Sequence, residues 1–344
     1  MKAAVFYGPP WPERPMKIED VPIPNIGPRD VLVKVAACGL CRTDLEYLEG
    51  KVRPLKPPPL ILGHEISGVV EDVGEFVKEV KKGDRVVICY TIPCEQCFAC
   101  KSGRQNLCLN GDVLGSSRDG GFAEYVSVPA KVAFKIPQEI PLQEAAVIAD
   151  AVATAYNAVV NEAQVKPGDK VVIFGASGGL GLSAVQISNA LGAMVIGVAR
   201  SKEKLKKAQE LGATYIISTI EVTDIEKEIK DITGSGADVA IDATGSPEVF
   251  PIACRSVRPG GKVVVVGFGP TRLELPGLRF VWYGLNIIGS PRYRPQDLPR
   301  VIEMTRRGYV KIRELVSHKF KLEELNEGYR MLAEGRVLRA IAIP

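Results

Sequence analysis

Cys94, Cys97, Cys100 and Cys108 follow the spacing C-x2-C-x2-C-x7-C within one short stretch. Thiolates this close, with no histidine among them, form a tetrahedral Zn²⁺ cage. A structural zinc is therefore expected, with a disulfide pair or a small iron–sulfur site as the alternatives. Two further groups carry chemistry. Ala37-Cys38-Gly39-Leu40-Cys41-Arg42-Thr43-Asp44 and Gly63-His64-Glu65 supply thiols, an imidazole and carboxylates. Gly175-Ala176-Ser177-Gly178-Gly179-Leu180-Gly181 follows an apolar run and opens a helix expected to begin near Leu182. Glycines in that place let the backbone turn tightly and approach a pyrophosphate, held by free N–H groups and the positive helix end. The alternative is a glycine turn that only packs helix on sheet. At the end of the next strand, Val198-Ala199-Arg200-Ser201-Lys202 offers no acid to accept hydrogen bonds from ribose hydroxyls. Arg200 can instead pair with a 2′-phosphate and stack on adenine, so NADP is expected over NAD. The alternative is a solvated arginine at a helix start.

These groups need elements to hold them. At 344 residues the chain exceeds what one core usually fills, so two domains are expected. Hydrophobic residues at 46%, charged residues at 24% and a net charge of +4 match a soluble globular protein. No basic block suggests nucleic acid or a membrane surface, and no apolar run approaches the ~18 residues of a membrane span. Met1–Phe6 reads as a strand rather than a signal peptide, so the cytoplasm is expected. Residues 31–37, 66–70 and 85–88 read as strands, Pro54 and Pro57–Pro59 as an extended approach to His64, and the first ~150 residues as a partly open barrel. Glu144–Val160 reads as one Ala/Val-rich helix. Beyond Val165, apolar runs at 171–174, 194–198, 215–217, 239–241, 263–266 and 286–289 alternate with helices such as Lys202–Leu211, the pattern of a doubly wound parallel sheet. Cys38, Cys89 and Cys254 lie in apolar surroundings and read as buried, inert thiols.

The order of these motifs resembles the zinc-dependent medium-chain alcohol dehydrogenases, over essentially the whole chain. The resemblance implies an α/β fold: a GroES-like partly open β-barrel catalytic domain at 1–151 with a structural-zinc lobe at 90–110, a Rossmann-type dinucleotide-binding domain at 152–289, and a return to the catalytic domain at 290–344. It implies two zincs per chain, with Cys41 and His64 as catalytic ligands. Cys38 competes with Cys41, and the Gly-Leu-Cys-Arg-Thr-Asp register favours Cys41. Matching Thr154-Ala155-Tyr156 to the family's Thr-x-Tyr puts Asp150 in the third place, where many relatives have Cys. The alternative for Asp150 is a helix-surface carboxylate, against which its apolar neighbours argue.

Asp44 would then orient the His64 ring, and Glu65 would sit behind the zinc. In this family the metal polarises an alcohol oxygen and a hydride passes to nicotinamide. Thr43 would bond the substrate oxygen and relay its proton, unless it merely caps a helix beginning at Asp44. Arg42 and Arg339 would pair with the pyrophosphate, and Thr154, Val266 and Gly267 would line the cofactor. Many relatives end the relay in a histidine five residues after the zinc cysteine. Here that place is Glu46, a carboxylate base unless protons leave through water, and His318 belongs to another segment.

The competing readings are a zinc-free quinone or enoyl reductase and a non-catalytic zinc module on nucleic acid. A small alcohol, carbonyl or sugar-like polyol substrate and a homo-oligomer of two or four chains are expected. Phe280-Val281-Trp282-Tyr283 is the candidate edge for pairing between copies, or else core.

Overall fold

The computed structural model describes residues 1–267, 272–275 and 277–344, and elements are counted among these. It divides into two compact units. Met1–Ala153, Arg294–Arg307 and Ile312–Pro344 make the first, and Thr154–Tyr293 with Gly308–Lys311 make the second. The boundaries differ from 151/152 and 289/290 by a few residues. The excursion at Gly308–Lys311 has a visible cause: the Lys311 amide donates to Gln186 Oε1 at 2.7 Å, within the second unit. No helix among the described residues is long and apolar enough to cross a membrane.

In the first unit the strand Asp30–Leu40 alternates buried residues with half-buried or exposed ones before becoming wholly buried at its end. That pattern puts it in the middle of a sheet, with one pleat face inward. It pairs antiparallel with Glu65–Val73, Tyr125–Pro129 and Ala340–Ile343. The full order is Ala133–Lys135, Arg85–Ile88, Glu65–Val73, Asp30–Leu40, Ala340–Ile343, His318–Lys321, with Tyr125–Pro129 paired off this path. A smaller sheet joins Lys17–Asp20, Lys2–Phe6 and Leu60–Ile61. Register matters most at one end, where Gly39 faces both Glu65 and Ile341. Cys41, Glu65 and Arg339 therefore leave three neighbouring strands at the same corner.

The expected helix over Glu144–Val160 is broken. A 3₁₀ turn spans Glu144–Ala149, an α-helix Ala151–Tyr156 and a π-turn Asn157–Glu162. Asp150 is the break, with φ −140° and ψ −68°, outside the helical region. Periodicity alone reads such a composite as one helix, because each piece keeps its apolar side toward the core.

The second unit holds the six expected strands, all parallel, in the order Tyr215–Ser218, Met194–Ala199, Lys170–Phe174, Ala237–Asp242, Val257–Val265, Asn286–Gly289. Val172, Ile196, Val198, Val263 and Phe250 pack its core. The order reverses between Lys170–Phe174 and Ala237–Asp242, and open α/β sheets bind ligands beyond the carboxyl ends of strands at such a reversal. Gly175 stands there.

The helix after it, Gly179–Ala190, opens three residues before Leu182 because Gly178 is extended and already serves as its N-cap. Phe280–Tyr283 lies in the helix Gly277–Tyr283 and not in a strand. Leu278, Val281 and Trp282 are 83%, 79% and 82% exposed, so this segment is not core of the chain itself.

Candidate active site and metal centres

Cys41, His64, Glu65 and Asp150 bring one thiol, one imidazole and two carboxylates within 4.8 Å of one another, all buried. Cys41 Sγ lies 3.6 Å from Asp150 Oδ2, and His64 Nε2 lies 3.7 Å from the same oxygen. Ligand atoms at ~2.0–2.3 Å from a tetrahedral zinc stand about 3.3–3.8 Å apart, so both spacings suit one shared ion. Each residue arrives from a different place. Cys41 precedes the helix Arg42–Leu48, His64 precedes the strand Glu65–Val73, and Asp150 projects from the helix break.

Asp44 stands behind His64. Its Oδ1 lies 3.3 Å from His64 Nδ1 and accepts from the Gly63 amide at 3.4 Å, while its Oδ2 accepts from the Tyr329 hydroxyl at 3.0 Å. Burial works against a charged His64 ring, but the charges of Asp44, Cys41 and Asp150 hold its pKa well above the ordinary histidine range. An anionic surrounding that favours a cation on the ring suits a bound metal cation equally. Tyr90 packs edge-on against the imidazole at 5.1 Å between centroids.

Glu65 is held from the other side by Arg339, whose Nε donates to Oε2 at 3.2 Å and whose Nη2 contacts Oε1. Arg339 Nη2 also lies 3.5 Å from Asp150 Oδ2. A Cβ on Gly39 would stand 2.0 Å from Glu65 Oε2, so only glycine admits this carboxylate. Arg339 is buried; Arg42 by contrast is largely exposed and 3.9 Å from Glu46 Oε1.

The helix Arg42–Leu48 begins at Arg42 with Cys41 as its N-cap, so Thr43 lies inside the first turn and does not cap it. Thr43 Oγ1 is 3.6 Å from Cys41 Sγ. Glu46, one turn on, is buried, and its Oε2 has no hydrogen-bond partner. His318 stacks on Phe320 at 6.1 Å, on the strand His318–Lys321.

The four lobe cysteines form a second cluster. Sγ–Sγ distances are 4.0 Å for Cys94–Cys100 and 3.8 Å for Cys97–Cys108, against ~3.8 Å for the edge of a ZnS₄ tetrahedron and ~2.05 Å for a disulfide. The left-handed backbone at Glu95 (φ 63°) turns the chain so that the Cys97 amide donates to Cys94 Sγ at 3.4 Å. Amide donation from Gln96 and Cys97 holds the Cys94 thiol down, to about 6. Burial and the neighbouring thiols push Cys100 the other way, up to about 12.

In the second unit, Gly175 adopts φ +80°, and a Cβ on Gly181 would come 2.2 Å from Gly175 O, so glycine is required in both places. Ser177 and Gly178 complete the turn, and Gly179, Leu180 and Gly181 form the first turn of the helix. The Val266 and Gly267 amides donate to Asp242 O at 2.9 and 3.0 Å, which brings the ends of two adjacent strands beside this loop. Arg200, at the end of Met194–Ala199, is exposed, and Thr154 is buried.

Sequence reading did not anticipate the clasp of Arg339 on Glu65 or the contact of Tyr329 with Asp44. Both residues lie more than 270 positions from their partners, and only the return of the last strand hints at them.

Residues 27–138 match the family model "Alcohol dehydrogenase GroES-like domain" and residues 179–307 match "Zinc-binding dehydrogenase". An alcohol dehydrogenase of Geobacillus stearothermophilus is 37% identical over 339 residues, 98% of this chain and 97% of that one. D-xylulose reductase A of Aspergillus niger is 35% identical, over 95% and 93% of the two chains. A crystal structure of an NAD-dependent alcohol dehydrogenase superposes with a TM-score of 0.92 at 32% identity, covering 100% of both chains.

Proposed function

Because the chain belongs to the zinc-dependent medium-chain alcohol dehydrogenases, we propose that Cys41, His64 and Asp150 are the protein ligands of its catalytic zinc, and that Cys94, Cys97, Cys100 and Cys108 hold a second, structural one. The enzyme transfers a hydride between an alcohol and a nicotinamide cofactor. The observation that carries the ligand assignment is the donor set itself. One thiolate, one carboxylate and one neutral imidazole would balance the charge of Zn²⁺ with three protein ligands, the number that catalytic zinc sites use. Zinc bound there supplies a Lewis acid that polarises a substrate oxygen.

The chain's own residues do the rest. Asp44 accepts a hydrogen bond from His64 Nδ1, which leaves Nε2 as the nitrogen that would bind the metal. Arg339 fastens Glu65 and reaches Asp150. Thr43 accepts the hydroxyl proton of the substrate in a hydrogen bond. In exchange Thr43 gives its own hydroxyl proton to Glu46, three residues on and so on the same helical side, through the unpartnered Oε2. Gly175–Gly181 cradles the pyrophosphate. Of the two arginines expected to meet the cofactor, Arg339 is committed to two carboxylates, whereas Arg42 is largely exposed. Thr154, Val266 and Gly267 line the cofactor in this reading.

Arg200 favours NADP. A charge-assisted bond of ~1.5–3 kcal/mol to the 2′-phosphate corresponds to a preference of about tenfold or more. One set of steady-state assays tests substrate and cofactor together: short alcohols, diols, polyols and aldoses, each with NADP and NAD. The expected result is a higher kcat/KM with NADP, reversed by Arg200→Asp. A wild-type enzyme that is faster with NAD refutes the role given to Arg200. Repeating the best pair across pH with Glu46→Gln tests the relay, and an unchanged profile removes Glu46 from it.

We also infer that copies of the chain assemble through the exposed Leu278–Val281–Trp282 face, since an apolar cluster of this kind is costly to leave in water. Light scattering should give a dimer or tetramer, reduced to a smaller species by Trp282→Glu. A wild-type mass of one chain rejects the inference.

A further inference from the structure

We propose that Tyr329 is a positioning residue of the metal centre, acting through Asp44. This deepens the reading of Cys41, His64 and Asp150 as metal ligands and rests on it. Asp44 is fully buried, and a buried carboxylate must have its lone pairs occupied. Oδ1 faces His64 Nδ1 at 3.3 Å and the Gly63 amide at 3.4 Å. Oδ2 is left to the Tyr329 hydroxyl at 3.0 Å. With Oδ2 tied, the carboxylate cannot rotate away from the imidazole, and the ring keeps Nε2 aimed at the metal.

Tyr329 is itself immobilised. It is fully buried, with its ring edge-on to Phe122 at 6.0 Å and 86°. Its helix, Leu325–Ala333, approaches the strand Asp30–Leu40 closely because residue 328 is glycine; a Cβ there would come 2.7 Å from Leu40 Cδ2. Burial, then the charge on Asp44, pushes the phenol well above the ordinary tyrosine range, so it remains a donor. Fixing this one bond thus requires a helix from the last twenty residues to reach a carboxylate in the first fifty.

The test uses Tyr329→Phe in the full-length holoenzyme, a change that keeps the ring and deletes one hydroxyl. Zinc release into a chromogenic chelator is followed for both sites, and the catalytic site is exchanged with Co²⁺ for its visible spectrum. Removing partners of metal ligands typically costs 10–100-fold in metal affinity, and Tyr329 acts one bond further out, so release from the catalytic site should quicken about tenfold. Release from the cysteine lobe should keep its wild-type rate, and the cobalt bands should shift. In an Asp44→Ala background the second change should add nothing, because the carboxylate that Tyr329 holds is gone.

Wild-type release and an unshifted spectrum in Tyr329→Phe overturn the proposal. Equal acceleration at both sites, or effects that multiply in the double variant, also overturn it, since they mark a general loosening of the core. A wild-type chain binding fewer than two metal equivalents overturns the underlying metal assignment instead.

Discussion

Replacing Cys41 with alanine is expected to lower kcat/KM at least about a thousandfold, since a Lewis acid contributes several kcal/mol and each ~1.4 kcal/mol is a factor of ten. The variant should fold and hold one zinc per chain, in the cysteine lobe. Deleting the thiolate leaves His64 and Asp150, because Glu65, the fourth donor of the cluster, is engaged by Arg339, and two donors fall short of the three such an ion needs from the protein. Asp150 gives a sharper form of the same prediction. Asp150→Asn removes a unit of charge from the donor set and should also lose the metal. Asp150→Cys keeps the charge and replaces a ~2.0–2.2 Å Zn–O bond with a ~2.3 Å Zn–S bond, so metal and turnover should survive within about tenfold. Metal analysis and steady-state rates on the three variants decide it. Two zincs and near-normal turnover in Cys41→Ala would remove Cys41 from the site.

The second large effect concerns stability. Cys100→Ser is expected to release the lobe zinc and lower the melting temperature by about 10 °C or more, from a loss of a few kcal/mol at ~2–4 °C per kcal/mol. The reason lies in what the lobe lacks. Phe98 and Leu109 are 88% and 95% exposed, so its large apolar side chains do not form a core of their own. The pairs Thr91–Ile92 and Asp112–Val113 give it a sheet of two strands, too small for independent stability. In the proposed reading, four sulfurs on one metal hold the fold in their place. Scanning calorimetry with metal analysis checks the result; an unchanged transition with one zinc lost would mean that the lobe stands without its ion.

Legibility followed sequence distance. The lobe could be read because its four cysteines fall within fifteen residues, and the nucleotide turn because strand, glycines and helix are consecutive. Cys41 and His64 were each legible through their own short motifs. Asp150 was reached by matching Thr154 and Tyr156, although the helix expected around it proved to be three pieces. No periodicity marks a residue that leaves helical geometry for one position and returns. The start of Gly179–Ala190 was missed by three residues for a related reason, because glycine gives little sign of which side of a cap it occupies.

Residue types and spacing determined the fold class, the two donor clusters, the glycine turn that opens a helix and the absence of an acid at Arg200. These depend on local backbone demands and on which atoms bind metal or phosphate, properties a short segment carries alone. Tertiary structure decided which atoms face which: Gly39 opposite Glu65, Arg339 clasping that carboxylate, Tyr329 closing on Asp44. The first follows from the pairing of Asp30–Leu40 with Glu65–Val73, and the other two from the return of the last segment, where Ala340–Ile343 pairs with Asp30–Leu40 about 300 residues away. Contact at that separation costs chain entropy that no local signal records, and only the burial of a common core offsets it.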